Sequence, residues 1–215
     1  MPDSFFVVGA GGHAKVVIDA LISSGCRIGG CFDDNPALSG LELVPGVRII
    51  GNTSMVESKW KKGSFVIVGI GDNTVRRHLS LRWKVDYGVA RAPSSVLGAG
   101  VKIGFGVMVL PSATVNIDSV VGNHVILNTS CSVDHDCRIG DYAHIAPGCH
   151  LGGGIIVGEG TFLGVGTSVV PGVCIGRWSV VGAGAVVTKD LPDNCTAVGV
   201  PARVIKTREE GWHLL

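Results

Sequence analysis

The chain has 215 residues, with 18 Lys and Arg against 17 Asp and Glu, a formal net charge of +1 and a mean hydropathy of +0.43. Near-neutrality excludes the basic face of a nucleic-acid or polybasic membrane binder, and no apolar stretch reaches the ~20 residues that a membrane-spanning helix needs. The 33 glycines beside only 6% aromatics point to many tight turns between short strands.

Met1-Pro2-Asp3-Ser4 has no basic stretch and no small-residue cleavage site, so no signal peptide is expected. Seven cysteines without a C-x-x-C pair read as buried thiols of a reducing, cytoplasmic setting. Residues 1–92 read as an α/β domain: a strand over 5–8, a glycine turn, a helix over 14–23, strands over 27–32 and 64–70, and a polar helix over 73–83. The boundary falls near Arg91-Ala92-Pro93-Ser94. From Leu97 to Val187 every sixth residue is aliphatic, sixteen times in succession, and the next residue is commonly Gly. The fifth position of each hexad is mostly small or β-branched, as in Ala113, Ser119, Thr161 and Ser179, and holds Cys131, Cys137 and Cys149. Six residues make one short strand and a turn, and three such units close a triangular coil of 18 residues. A β-sandwich would show period-two alternation and irregular spacing instead. The prism is assigned to 93–195, and 196–215 to an extended tail.

Three segments carry candidate chemistry. Gly9-Ala10-Gly11-Gly12-His13-Ala14 fits G-x-G-x-x-A between a strand and a helix, with Asp33 and Asp34 about 20 residues on. Such a turn brings backbone close to a phosphate at a helix N-terminus. It fits a dinucleotide or a nucleotide sugar, but only one Rossmann half is present, and an NAD enzyme normally has two. In Asp134-His135-Asp136, His135 stands at the third hexad position and points away from the interior. Taken alone, it reads equally as a general base held by a carboxylate or as a solvated surface histidine. No pair among His124, His135, His144 and His150 has the 18-residue spacing that would stack ligands on one face, so no metal is expected.

The hexad array, the closing strings V-V-T-K-D-L-P and G-V-P-A-R-V-I, and four landmarks resemble the hexapeptide-repeat sugar acetyltransferases acting on UDP-4-amino sugars or GDP-perosamine. The landmarks are Val8 to Lys15, Phe32-Asp33-Asp34, Gly69 to Asn73, and Val133-Asp134-His135-Asp136-Cys137. The resemblance implies a left-handed parallel β-helix preceded by a small half-Rossmann domain, a homotrimer, and acetyl-CoA in a groove between adjacent prisms. It makes His135 the general base, oriented by Asp136, and gives Gly153 an N–H facing the thioester oxygen. His144 would lie near the acetyl group or sugar, and Gly164, Val165 and Gly182 against acetyl-CoA. Asp33 and Asp34 would contact the nucleoside of a UDP- or GDP-linked sugar, with Gly11, Gly12, His13, Gly71 and Asn73 near its diphosphate and sugar. The expected activity is transfer of acetyl to the 4-amino group of that sugar. A sialic-acid type O-acetyltransferase, or a dinucleotide-binding module trimerised by the prism, remains as an alternative.

Overall fold

The computed structural model describes residues 4–214. The N-terminal part is a five-stranded sheet in the order β3-β4-β2-β1-β5. Its strands are β1 (Ser4–Val8), β2 (Arg27–Phe32), β3 (Glu42–Val44), β4 (Val47–Gly51) and β5 (Ser64–Val68). All neighbours run parallel except β3 against β4. The strands are continuous apolar runs because both faces are covered. Helix α1 (Gly12–Ser23) buries Ala14, Val17, Ile18 and Leu21, and α2 (Val56–Lys59) and α3 (Asn73–Ser80) pack with the remaining apolar surface. From β1 the chain moves to β2 on one side and β5 on the other. The carboxyl ends of β1 and β5 therefore flank a switch-point crevice, where open α/β sheets bind ligands.

The second part is a triangular prism of two-residue strands, β6 (Ala90–Arg91) through β22 (Val186–Val187). Strands 18 residues apart pair in parallel register, as Ser132 with His150 and His144 with Phe162. Three sheets result. One has six strands from β7 to β22, and one has five from β8 to β20. The third has eight strands and is completed by β23 (Cys195–Val198) and β24 (Arg203–Thr207). The sixth-residue aliphatics fill the axis with the small fifth-position residues. There Cys137 and Cys149 donate their thiols to Gly152 O at 3.2 Å and Gly164 O at 3.1 Å.

Each corner has one residue with left-handed backbone. From Gly148 to Gly172 these are all glycines, but the six preceding corners hold Ser112, Asp118, His124, Ser130, Asp136 and Tyr142, with φ between 53° and 60°. The α/β domain docks on the eight-stranded face. Outward residues there are apolar where it sits: Ala90, Met108 and Ile126 are fully buried and share a core with Val7, Val17 and Ile67. Full burial of a side chain such as Ile126 contributes about 1.5–3 kcal/mol.

Candidate active site

The switch-point crevice brings the N-terminal candidates together. Gly9 has φ 106°, and an added Cβ would lie 2.9 Å from Ile70 Cγ1 and 3.2 Å from Gly69 O, so only glycine closes this turn. A Cβ on Gly11, Gly12 or Gly71 would meet nothing within 4 Å, which leaves open space above these backbones. Gly11 caps α1 without a side-chain bond, leaving N–H groups at the helix N-terminus for an anion. Asp33 accepts from Ala10 N at 2.8 Å and Asn35 N at 2.9 Å, so it holds the glycine turn. Asp34 accepts from Thr53 N at 2.8 Å and Thr53 Oγ1 at 2.9 Å. Both carboxylates are thus already engaged within the chain, which the bare sequence does not indicate.

His13 and His144 face each other across the seam, with ring centroids 6.1 Å apart. Burial, then the Arg76 guanidinium, pulls His13 down to about 4 and His144 to about 3, so both are neutral at pH 7. The hydrogen bonds fix the His144 tautomer. Asn128 Oδ1 accepts from Thr129 N at 2.8 Å, so its Nδ2 is the atom that faces His144 Nε2 at 3.0 Å. His144 Nε2 is therefore the acceptor, and Nδ1–H donates to Gly71 O at 3.2 Å. Asn73 donates to Gly160 O at 2.9 Å. Beside this seam lies a cavity of about 480 Å³ walled by Asn73, Thr74, His144, Phe162, Trp178 and Trp212. Asn128, Trp178 and Trp212 were not anticipated from sequence. Asn128 and Trp178 replace the glycine common at their hexad positions, and those breaks in the grid were the readable signal.

His135 lies elsewhere. It occupies the prism edge between the six- and five-stranded sheets, opposite the face that carries His144 and the α/β domain. Its Nδ1 is 2.8 Å from Asp136 Oδ2, whereas Asp134 accepts from His135 N–H and Asn116 Nδ2, each at 2.8 Å. The carboxylate on Nδ1 leaves Nε2 with its lone pair outward. The Asp136 hydrogen bond, then the Asp134 charge, raises the imidazole above the usual histidine range. Asn116 and the His135 amide hold Asp134 below the usual carboxylate range. The ring lies on Gly153, where a Cβ would be 2.5 Å from both Cε1 and Nε2. A third edge carries exposed Val165, with Gly164 below Ala183 N and Gly182 below Val198 at distances that exclude a Cβ. Within one chain the candidates thus fall into separate groups. Among the described residues, no group of three or more His, Cys, Asp or Glu is placed to hold a metal ion, and no helix is long and apolar enough to cross a membrane.

Residues 4–82 match the PglD N-terminal domain, and 118–153 match the bacterial transferase hexapeptide model of six repeats. PerB of Caulobacter crescentus, solved in complex with CoA and GDP-perosamine, is 40% identical with a TM-score of 0.88, over 94% of this chain and 97% of that one. The chain belongs to the hexapeptide-repeat sugar N-acetyltransferases. The family's CoA-dependent acetyl transfer and its left-handed β-helix come with that membership. The acetyltransferase domain of PglB from Neisseria gonorrhoeae, solved with acetyl coenzyme A, is 33% identical with a TM-score of 0.89, over 95% of this chain and all of that one. WeeI of Acinetobacter baumannii is 30% identical, with a TM-score of 0.84 over 94% and 99% of the two chains. An uncharacterized protein of Acanthamoeba polyphaga mimivirus is 35% identical over 105 residues; the chain spans 20% of its length.

Proposed function

We propose that the protein transfers acetyl from acetyl-CoA to the 4-amino group of a nucleotide-linked 4-amino-4,6-dideoxy sugar, at a site shared by adjacent copies in a homotrimer. The observation that carries this reading is His135, bonded to Asp136 through Nδ1 with Nε2 open, on the edge remote from its own nucleotide crevice. A neighbouring copy brings that edge to the crevice. Gly11, Gly12, His13, Gly71 and Asn73 of one chain hold the sugar nucleotide, and Asp33 and Asp34 shape the nucleoside end. Gly164, Val165 and Gly182 line the acetyl-CoA groove.

In the reaction the amine nitrogen attacks the thioester carbon, and His135 Nε2 takes the proton the nitrogen sheds. Asp136 stabilises the imidazolium, a contribution typically of ~10²–10⁴-fold for a positioned base. Among the described residues the Gly153 N–H makes no hydrogen bond, so it is free to donate to the oxyanion, worth roughly 3 kcal/mol. Collapse breaks the C–S bond, and His135 returns the proton to the departing sulfur. His144, neutral and with Nδ1–H given to Gly71, orients the acceptor rather than moving the proton. The 40% identity to an enzyme solved with GDP-perosamine favours a GDP-linked acceptor over a UDP-linked one.

Steady-state acetyl transfer with acetyl-CoA and either GDP- or UDP-linked 4-amino sugar tests the reading. Turnover with a 4-amino sugar, lost by at least 100-fold in His135→Ala, is expected. Turnover only with a 4-hydroxyl acceptor, or near-full activity in His135→Ala, would overturn it.

A further inference from the structure

Arg76 is the largest fully buried side chain and takes no part in the scheme above. No ion pair to it is present among the described residues; every N–H ends instead on a neutral oxygen. Nε donates to His124 O at 2.8 Å, and Nη2 donates to Tyr142 O at 2.6 Å, both on the prism. Nη1 donates to Ile70 O at 3.0 Å and Gly71 O at 3.3 Å, and Nη2 donates to Asn73 Oδ1 at 2.8 Å, all three acceptors on the segment that leads from β5 into the first residue of α3. An arginine has five such protons in a rigid fork, and all five are used. Burial pulls it down to about 9, so it still carries its charge at pH 7. A buried charge with no carboxylate in contact is costly, and the full set of hydrogen bonds, together with the nearby Asp72 charge, makes it tolerable.

The atom that gives this clip a role in the reaction is Gly71 O, which accepts both from Arg76 Nη1 and from His144 Nδ1. Turned away from the prism, that carbonyl would leave His144 Nδ1–H without its acceptor, and the Asn128 amide, by turning over and giving up its bond from Thr129 N–H, would then offer Oδ1 to the Nε2–H of the other tautomer. We infer that Arg76 is a positioning residue, which locks the 70–73 loop of the nucleotide crevice to the prism and thereby holds His144 in its Nδ1–H form. The inference rests on the acetyl-transfer reading for its kinetic consequence but not for its geometry.

The test uses the full chain with ¹⁵N-labelled histidine, whose long-range ¹H–¹⁵N correlations report the tautomer; His144→Gln identifies the signal. Wild type is expected to show Nδ1–H at His144. Arg76→Met is expected to lose that preference and to raise KM for the sugar nucleotide at least tenfold, with KM for acetyl-CoA within twofold. Arg76→Lys, which keeps the charge and part of the bonding, should fall between. An Nε2–H wild-type signal overturns the inference whether or not the variants fold. So does an Arg76→Met or Arg76→Lys protein with lowered Tm but unchanged tautomer and KM. Absence of acetyl transfer in wild type refutes the function instead and leaves the tautomer result to stand on its own.

Discussion

Gly153→Ala separates geometry from stability at the proposed base. Gly153 does not have left-handed backbone, so alanine adds no backbone strain there. The new Cβ would nevertheless stand 2.5 Å from His135 Cε1 and Nε2, where van der Waals contact needs at least about 3.4 Å. The ring must withdraw by roughly 1 Å. It can, because the His135 side chain is 56% exposed. The cost appears in the reaction: the 2.8 Å bond to Asp136 is broken or misaligned, and the Gly153 N–H shifts with it. A misplacement near 1 Å costs about 10²-fold, or about 2.7 kcal/mol in the barrier. Steady-state kcat/KM and differential scanning calorimetry should show a ~100-fold loss at a Tm within about 2 °C of wild type. Gly25→Ala is the converse. At φ 79° with nothing within 4 Å of its Cβ, it should lose about 1–2 kcal/mol of stability and no activity. Full activity in Gly153→Ala would show that the His135 ring is not used where it stands.

The neutral imidazole is the base, so kcat/KM should rise with pH through an inflection above 6.5; Asp136→Asn should lower that inflection as well as the rate, and an unmoved inflection would remove Asp136 from the couple. Mixed trimers of His135→Ala and His144→Ala chains, made by co-expression, should recover about one quarter of wild-type activity by random assortment, whereas a site within one chain recovers none. Sedimentation should give about three times the 22.2 kDa chain mass. Burial depresses His13 and His124 to about 4 and His144 to about 3, so below pH 6.5 the unfolded chain binds more protons than the folded one. Stability should therefore fall as pH drops from 6.5 toward 4, by about 1.4 kcal/mol per pH unit for each; His124→Asn should remove about a third of the slope of ΔG against pH in denaturant titrations.

The prism was legible because its rule is local: each sixth-residue aliphatic is the second residue of a two-residue strand, as Val133 in Ser132–Val133. The glycine turn and the His135-Asp136 couple were legible for the same reason, since neighbours in sequence make the contact. The hairpin of β3 and β4 was not, because Glu42–Val44 is short and partly exposed and shows no alternation. Arg76 sits in a helix whose charged residues read as solvated, and only docking onto His124 and Tyr142 buries it. The opposition of His135 and His144 follows from which of three faces each hexad occupies, which nine residues of separation conceal.

The six successive corners from Ser112 to Tyr142 that lack glycine mark a belt of the prism where side chains are kept against the backbone's preference. Each position outside glycine costs about 1–2 kcal/mol, so the belt is also where glycine substitution can raise stability. Asp136→Gly should then give a more heat-resistant, inactive enzyme, and Tyr142→Gly an unstable one through lost contacts with Ser80. Scanning glycine around the belt would sort its corners into those retained for chemistry, those retained for docking, and those held by neither, which are the places to engineer a hardier enzyme.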